Sequence, residues 1–211
     1  MPGRFIVLEG GEGAGKTGAI AFLAAELTAR GHRVVPTREP GGTPEGKALR
    51  ALLLSENGLD WAPDAELLLM NADRVQHLER VVRPALQAGA IVISDRYAGS
   101  TIAYQGAGRG LGVERVIDLH REIQHDFWPD LTIVLDIPPE VGLARSRARL
   151  AGGGIDEGRF EGLDLDFHRR VRQSFLAQAA HMGRHAAVID ATLPPDAVQA
   201  AALAAVLRVL G

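Results

Sequence analysis

The segment Gly10-Gly11-Glu12-Gly13-Ala14-Gly15-Lys16-Thr17 constrains this chain more than any other. It matches the pattern G-x-x-x-x-G-K-[ST]. Before it lies the apolar run Phe5–Glu9, which reads as a buried strand. After it, Ala19–Arg30 carries Ile20, Leu23, Ala24 and Leu27 at helical spacing and stops at Gly31. In that strand–turn–helix context the glycines let consecutive backbone N–H groups converge on phosphate oxygens, and the helix N-terminus adds a positive field. Lys16 would reach the β- and γ-phosphates, and Thr17 would offer its hydroxyl to magnesium. Lysine occurs only at Lys16 and Lys47, the rest of the 23 basic residues being arginine. A coding bias explains that ratio, and under it a retained lysine marks a place that needs an ammonium.

Four further apolar runs read as strands: Arg33–Thr37, Ala90–Ser94, Leu131–Asp136 and Ala186–Asp190. Helical patterns cover Pro44–Leu54, Pro63–Gln87, Val113–His125, Pro138–Leu150, Leu163–His181 and Pro194–Leu210. The alternation predicts an α/β fold, a five-stranded parallel sheet flanked by helices. Ligands in such sheets bind beyond the carboxyl ends of the strands. The polar clusters Gly10–Thr17, Arg38–Thr43, Asp95–Tyr97 and Asp190–Thr192 each follow a strand, so one edge is expected to hold the site. Gly106–Gly112 reads as a glycine-rich loop and Ala151–Arg159 as a flexible insertion; neither fits a core element. With no repeat and no break in composition, residues 1–211 are expected to form one domain with a lid-like insertion at about 147–160.

Composition removes several classes of function. The chain has 211 residues, 26 acidic and 23 basic, for a net charge of −3. A general nucleic-acid or membrane-surface binder would need a basic face. Without cysteine there is no disulfide framework, Cys-zinc site or thiol nucleophile. Phe5–Leu8 is too short for a signal-peptide core, and no apolar stretch approaches the roughly 18 residues of a membrane span. The expectation is a cytoplasmic protein without nucleic-acid or membrane partners. His181 and His185 are four apart, but Met182 follows the first where a zinc hydrolase has glutamate. The only asparagines are Asn57 and Asn71, so no Asn-Lys-x-Asp guanine-reading segment exists.

Asp95-Arg96 directly follows a strand. Its carboxylate can hold magnesium and its guanidinium a phosphate, or the two can form a solvated ion pair. Arg145, Arg147, Arg149 and Arg159 flank the glycine-rich insertion. They form either a solvated helix face or part of a mobile lid whose arginine meets a transferring phosphoryl group. These elements suggest a small-molecule phosphotransferase. A phosphate-loop ATPase that switches partners would also need a water-positioning residue, which the sequence does not identify.

Thr37-Arg38-Glu39-Pro40-Gly41-Gly42-Thr43, together with Phe5-Ile6-Val7-Leu8-Glu9-Gly10, Asp95-Arg96-Tyr97, Ala103-Tyr104-Gln105-Gly106 and Arg159-Phe160-Glu161, closely resembles bacterial thymidylate kinase. The resemblance runs in order from Phe5 to Asp190-Ala191-Thr192, and the Arg38–Thr43 segment is its most specific part; another nucleotide kinase on this scaffold would replace it. The family implies a P-loop kinase fold with a short lid and transfer of the ATP γ-phosphoryl group to dTMP, with Mg²⁺, by a homodimer. It implies that Gly10, Gly11, Gly13, Ala14, Gly15, Lys16 and Thr17 hold the ATP phosphates, and that Asp190 and Ala191 lie near adenine. Glu12, in the same loop, would face the substrate sugar. Arg38 and Arg50 would lie near the dTMP phosphate. Arg74 would read a thymine carbonyl, Arg96 would bridge the two substrates' phosphates, and Thr101, Tyr104 and Gln105 would contact sugar and base. Thr17 and Asp95 would serve the metal. Met70 stands where the family commonly stacks a phenylalanine on thymine, and Gly18 where a second hydroxyl residue is usual. Because Gly13 and Ala14 leave the loop without an arginine, the insertion is expected to supply one, Arg159 before Arg149 and Arg147.

Overall fold

The computed structural model describes residues 3–54, 60–151 and 159–211. Five strands, β1 (Arg4–Glu9), β2 (Val34–Arg38), β3 (Ile91–Asp95), β4 (Leu131–Asp136) and β5 (Ala186–Asp190), form one parallel sheet in the order β2-β3-β1-β4-β5. Each strand lies within one residue of its expected span. The α-helices are α1 (Lys16–Ala29), α2 (Pro44–Leu54), α3 (Pro63–His77), α4 (Arg83–Gln87), α5 (Ala98–Thr101), α6 (Val113–Gln124), α7 (Pro139–Ala151), α8 (Leu165–Met182) and α9 (Pro195–Leu210). None of the described helices is long and apolar enough to cross a membrane.

The alternation of side chains along each strand divides the core between the two faces. Ile6 and Leu8 of β1 pack with Leu23 and Leu27 of α1 and with Ala202 and Val206 of α9. Their neighbours Phe5 and Val7 turn the other way and meet Leu78, Val82, Val92 and Tyr97. Val134 of β4 joins Tyr104, Phe167, Val171 and Phe175, so α8 closes that face beside the site. β1 pairs with both β3 and β4, with Leu8 opposite Asp95 and Glu9 opposite Val134. All strands being parallel, Glu9, Arg38, Asp95, Asp136 and Asp190 end at one edge.

Two sequence expectations are corrected. Pro63–Gln87 is not one regular helix: a π-helical turn at Leu78–Val82 separates α3 from α4, with the Arg83 N–H donating to the Leu78 carbonyl. Pro84 lacks an N–H, and in an α-helix its ring would strike the carbonyl four residues back; the wider turn accommodates it. Gly106–Gly112 is not wholly loop. A π-helical segment, Ile102–Gly108, continues α5, and only the residues after Gly108 connect it to α6. Its glycines serve close packing, for a Cβ at Gly108 would run into the Phe167 ring. The glycine-rich part of the expected insertion, residues 152–158, lies outside the described residues, as does the side chain of Arg159.

Candidate active site

The loop after β1 is held open from below. Gly13 has φ +68°, and a Cβ there would collide with the Gly142 carbonyl of α7. Only glycine permits both that backbone and that approach. Gly15 precedes α1 in the left-handed region, and no side chain caps the helix. Its first N–H groups therefore face the loop, as an anion site requires. The Lys16 ammonium donates to the carbonyls of Gly10 and Gly11 at 3.0 and 3.1 Å. Exposed Thr17 lines a shallow cleft together with Arg38 and Asp95. Asp95 is buried at the end of β3, and its Oδ1 has no hydrogen-bond partner among the described residues. An orphaned carboxylate oxygen that shares a cleft with an exposed hydroxyl fits a hard divalent cation that keeps most of its waters.

Beside the loop opens a cleft. Glu12, Arg38, Arg50, Met70, Arg74, Arg96, Thr101, Tyr104 and Gln105, all expected on the acceptor side, line it together. Asp190 and Ala191 sit on the same sheet edge but outside this cleft. There the Asp190 carboxylate binds the Thr192 N–H and hydroxyl, and Arg145 donates to the Ala191 carbonyl at 2.7 Å. Arg145 is thus fastened to the β5 end rather than simply solvated.

Arg96 adopts φ +68°, a strained backbone for a residue with a Cβ, and such strain concentrates at functional sites. Its Nη1 donates to the Gly10 carbonyl at 3.1 Å and the Ser100 hydroxyl at 3.0 Å, and its guanidinium lies over the Tyr104 ring. Burial opposes its charge, but Tyr104, Glu12, Asp95 and Glu9 outweigh burial and hold the guanidinium fully protonated. Glu12 is buried too. Burial alone would raise its pKa, yet His168, Arg96, Tyr104 and Lys16 bring it down to about 2. Tyr104 donates its hydroxyl to one Glu12 oxygen, and His168 Nδ1 lies 3.3 Å from the other. Glu9 anchors the turn beneath: it accepts from the Tyr97 and Ser100 N–H groups, both at 3.0 Å, and from the Ser100 hydroxyl at 2.6 Å. Burial pushes Glu9 up to about 7 against those partners.

The far wall is built from α3. Glu66, Met70 and Arg74 succeed one another at turn spacing, and Asp73 and His77 share the buried side. Arg74 donates from Nε to Glu39 at 2.9 Å and from Nη2 to the Thr101 hydroxyl at 2.7 Å. The second Glu39 oxygen lies 2.7 Å from His77 Nδ1, and His77 Nε2 lies 2.7 Å from the Thr37 hydroxyl. Thr101 therefore holds Arg74 as well as lining the cleft. Asp73 accepts the Gly41 N–H, and burial followed by repulsion from Glu39 raises its pKa to about 6. Gln105 and Arg109 both donate to Glu66. Arg50 steadies the loop after β2 by donating to the Pro40 carbonyl at 3.1 Å. Met70 and Phe160 close the apolar part, with Phe160 edge-on to Tyr104 at 5.4 Å between centroids.

Sequence reasoning missed Glu9, Glu39, Glu66, Asp73, His77, Ser100, Arg109, Phe160 and His168 as parts of this site. A signal existed for those on α3: polar residues at 66, 73, 74 and 77 fall on its inward face. For His168 there was none, since its contact with Glu12 joins distant elements.

The cleft thus brings Glu12 of the loop after β1 together with Arg38, Arg50, Arg74 and Arg96 and with Thr101, Tyr104 and Gln105. The family model for thymidylate kinase matches residues 8–202. A thymidylate kinase of Cereibacter sphaeroides is 59% identical over 204 residues, covering 96% of this chain and 94% of that protein. One from Nitratidesulfovibrio vulgaris Miyazaki F is 48% identical, covering 98% and 97%. Another, from Pseudomonas entomophila, is 50% identical, covering 95% and 93%. Over nearly its whole length, the chain belongs to the thymidylate kinase family.

Proposed function

We propose that the protein transfers the γ-phosphoryl group of ATP to the phosphate of dTMP, giving dTDP and ADP. The observation that carries this reading is one cleft lined by Arg38, Arg50 and Arg96 together with Arg74, Gln105 and Met70, with Glu12 of the loop in its wall. Two polyanions must approach each other in a protein of net charge −3, so the compensating cations have to be local. Lys16 and the N-terminus of α1 take the donor phosphates. Arg96, held by the Gly10 carbonyl and the Ser100 hydroxyl, would bridge the phosphates of both substrates.

In the step itself an oxygen of the dTMP phosphate attacks the γ-phosphorus and the bond to the β,γ-bridging oxygen breaks, leaving ADP. The charge that spreads over the equatorial oxygens is met by Lys16 and Arg96. Thr17 and Asp95 would hold Mg²⁺, which offsets charge on the β- and γ-oxygens when bound. Gly13 and Ala14 supply no arginine inside the loop, which favours one from residues 147–159, Arg159 first. Glu12, ionised and fixed by Tyr104, would accept a hydrogen bond from the sugar 3′-hydroxyl. The same reading includes a homodimer in the cytoplasm.

A competition experiment tests it. With ATP and Mg²⁺, equimolar dTMP, dCMP, dGMP and dAMP should yield dTDP as the dominant diphosphate. Comparable yields of the others, or ADP and phosphate without a nucleoside diphosphate, would overturn it.

A further inference from the structure

Glu66 is fully buried, sits one turn before Met70 on α3, and has no place in the phosphoryl transfer. It accepts Gln105 Nε2 at 2.8 Å, and Arg109 donates to it from Nη2 at 3.1 Å. The Arg109 guanidinium lies over the rings of Phe160 and Phe167. A carboxylate paired with a guanidinium can only accept. The arm of Gln105 that faces it is therefore the NH₂ group, and the carbonyl oxygen occupies the opposite arm of an amide that lines the cleft. Thr101 lies four residues before Gln105 and takes a hydrogen bond from Arg74, which only donates.

We propose that Glu66, steadied by Arg109, is a specificity-determining positioning residue that fixes the sense of the Gln105 amide. The pocket then offers a carbonyl acceptor beside the Arg74 donor. That pair complements a pyrimidine carrying a 4-carbonyl and an N3–H. It opposes a 4-aminopyrimidine, whose amino group meets Arg74 and whose N3 lone pair meets the Gln105 oxygen. Burial makes each mismatch costly, because no water repairs it. A buried carboxylate is a poor device for stability alone, since apolar residues of similar volume commonly replace such pairs without loss. This inference rests on the proposed function, with Arg74 and Gln105 reading the base.

Glu66→Gln inverts the relay. With Arg109 kept, the carbonyl of the substituted amide turns to the guanidinium and its NH₂ to Gln105, which must present its own NH₂ to the pocket. Thymine then keeps its match at O4 and loses the one at N3–H; cytosine gains a match at N3 and keeps its clash at the amino group. Each base has one match and one mismatch, so discrimination should collapse.

The measurement is kcat/KM for dTMP, dUMP and dCMP. In Glu66→Gln the dTMP:dCMP ratio should fall by at least ~10-fold, mainly through a higher KM for dTMP, with dUMP following dTMP. Glu66→Asp, which keeps an accepting carboxylate, should retain a wild-type ratio. A purely structural role would lower all three substrates together and leave the ratio unchanged. If Glu66→Gln does not fold, Glu66→Met with Arg109→Met removes the ion pair and leaves the amide unheld, and the ratio should fall there too. An unchanged ratio in either folded variant overturns the proposal. If instead the wild-type protein fails to prefer dTMP over dCMP, the reading of the function has failed before any variant is made.

Discussion

The Tyr104 hydroxyl donates to the Glu12 carboxylate, joining the π-helical segment that lines the cleft to the loop after β1. Burial pushes the phenol well above its ordinary pKa, so Tyr104 remains a donor throughout the working range. Tyr104→Phe leaves the ring contacts with Phe160 and Phe167 in place and removes the bonds of the hydroxyl to Glu12 and Arg96. A hydrogen bond to a charged group contributes about 1.5–3 kcal/mol, so kcat/KM for dTMP should fall by about 10- to 100-fold. The KM for ATP should change little, which steady-state kinetics with each nucleotide varied in turn will show.

Breaking the chain Thr37–His77–Glu39–Arg74–Thr101 should cost stability as well as base recognition. Glu39→Ala leaves Arg74 buried without its carboxylate, a loss of about 3–5 kcal/mol. Thermal denaturation should show the lowered Tm, and the dTMP KM should rise in whatever fraction remains folded.

Glu9 makes stability depend on pH. Burial raises its folded pKa to about 7 from 4.5. Between those values the folded state binds more protons than the unfolded one, so stability falls as pH rises through the window. Glu9→Gln cannot ionise and escapes that loss. The stability of the variant relative to wild type should therefore improve by about 3 kcal/mol between pH 5 and pH 8, read from urea denaturation. Glu12 acts oppositely: its folded pKa of about 2 supplies stability that is present above 4.5 and lost as pH falls toward 2.

Much of this site was legible because its chemistry is local. The loop Gly10–Thr17 and the runs that became β1, β3 and β4 carry their signal within a few residues, and parallel strands send every polar terminus to one edge. The positions of Arg74 and Tyr104 came from family resemblance, not from periodicity. What remained hidden depends on tertiary encounter. Gly106 and Gly108 read as loop residues because their role is packing, against the Val113 backbone and the Phe167 ring. His77 and Glu66 read as ordinary helix polar residues until Glu39, Gln105 and Arg109 met them.

The arginines of residues 147–159 separate a transition-state role from a covering one. Arg159→Ala should lower kcat on the order of 10³-fold with little change in either KM. Parallel kinetics on Arg147→Ala and Arg149→Ala will check the assignment. If all three variants keep wild-type kcat, the charge on the transferred group is met by Lys16, Arg96 and the metal.

The central claim is that loop and cleft form one phosphoryl-transfer site, and the fate of the γ-phosphate tests it most directly. ATP labelled at the γ-phosphate, incubated with Mg²⁺ and dTMP, should place the label on the β-phosphate of dTDP in an amount equal to the ADP formed. Lys16→Ala, still folded by circular dichroism, should form less than about a hundredth as much. Label released as inorganic phosphate in step with ADP, with dTMP left unchanged, would contradict the account.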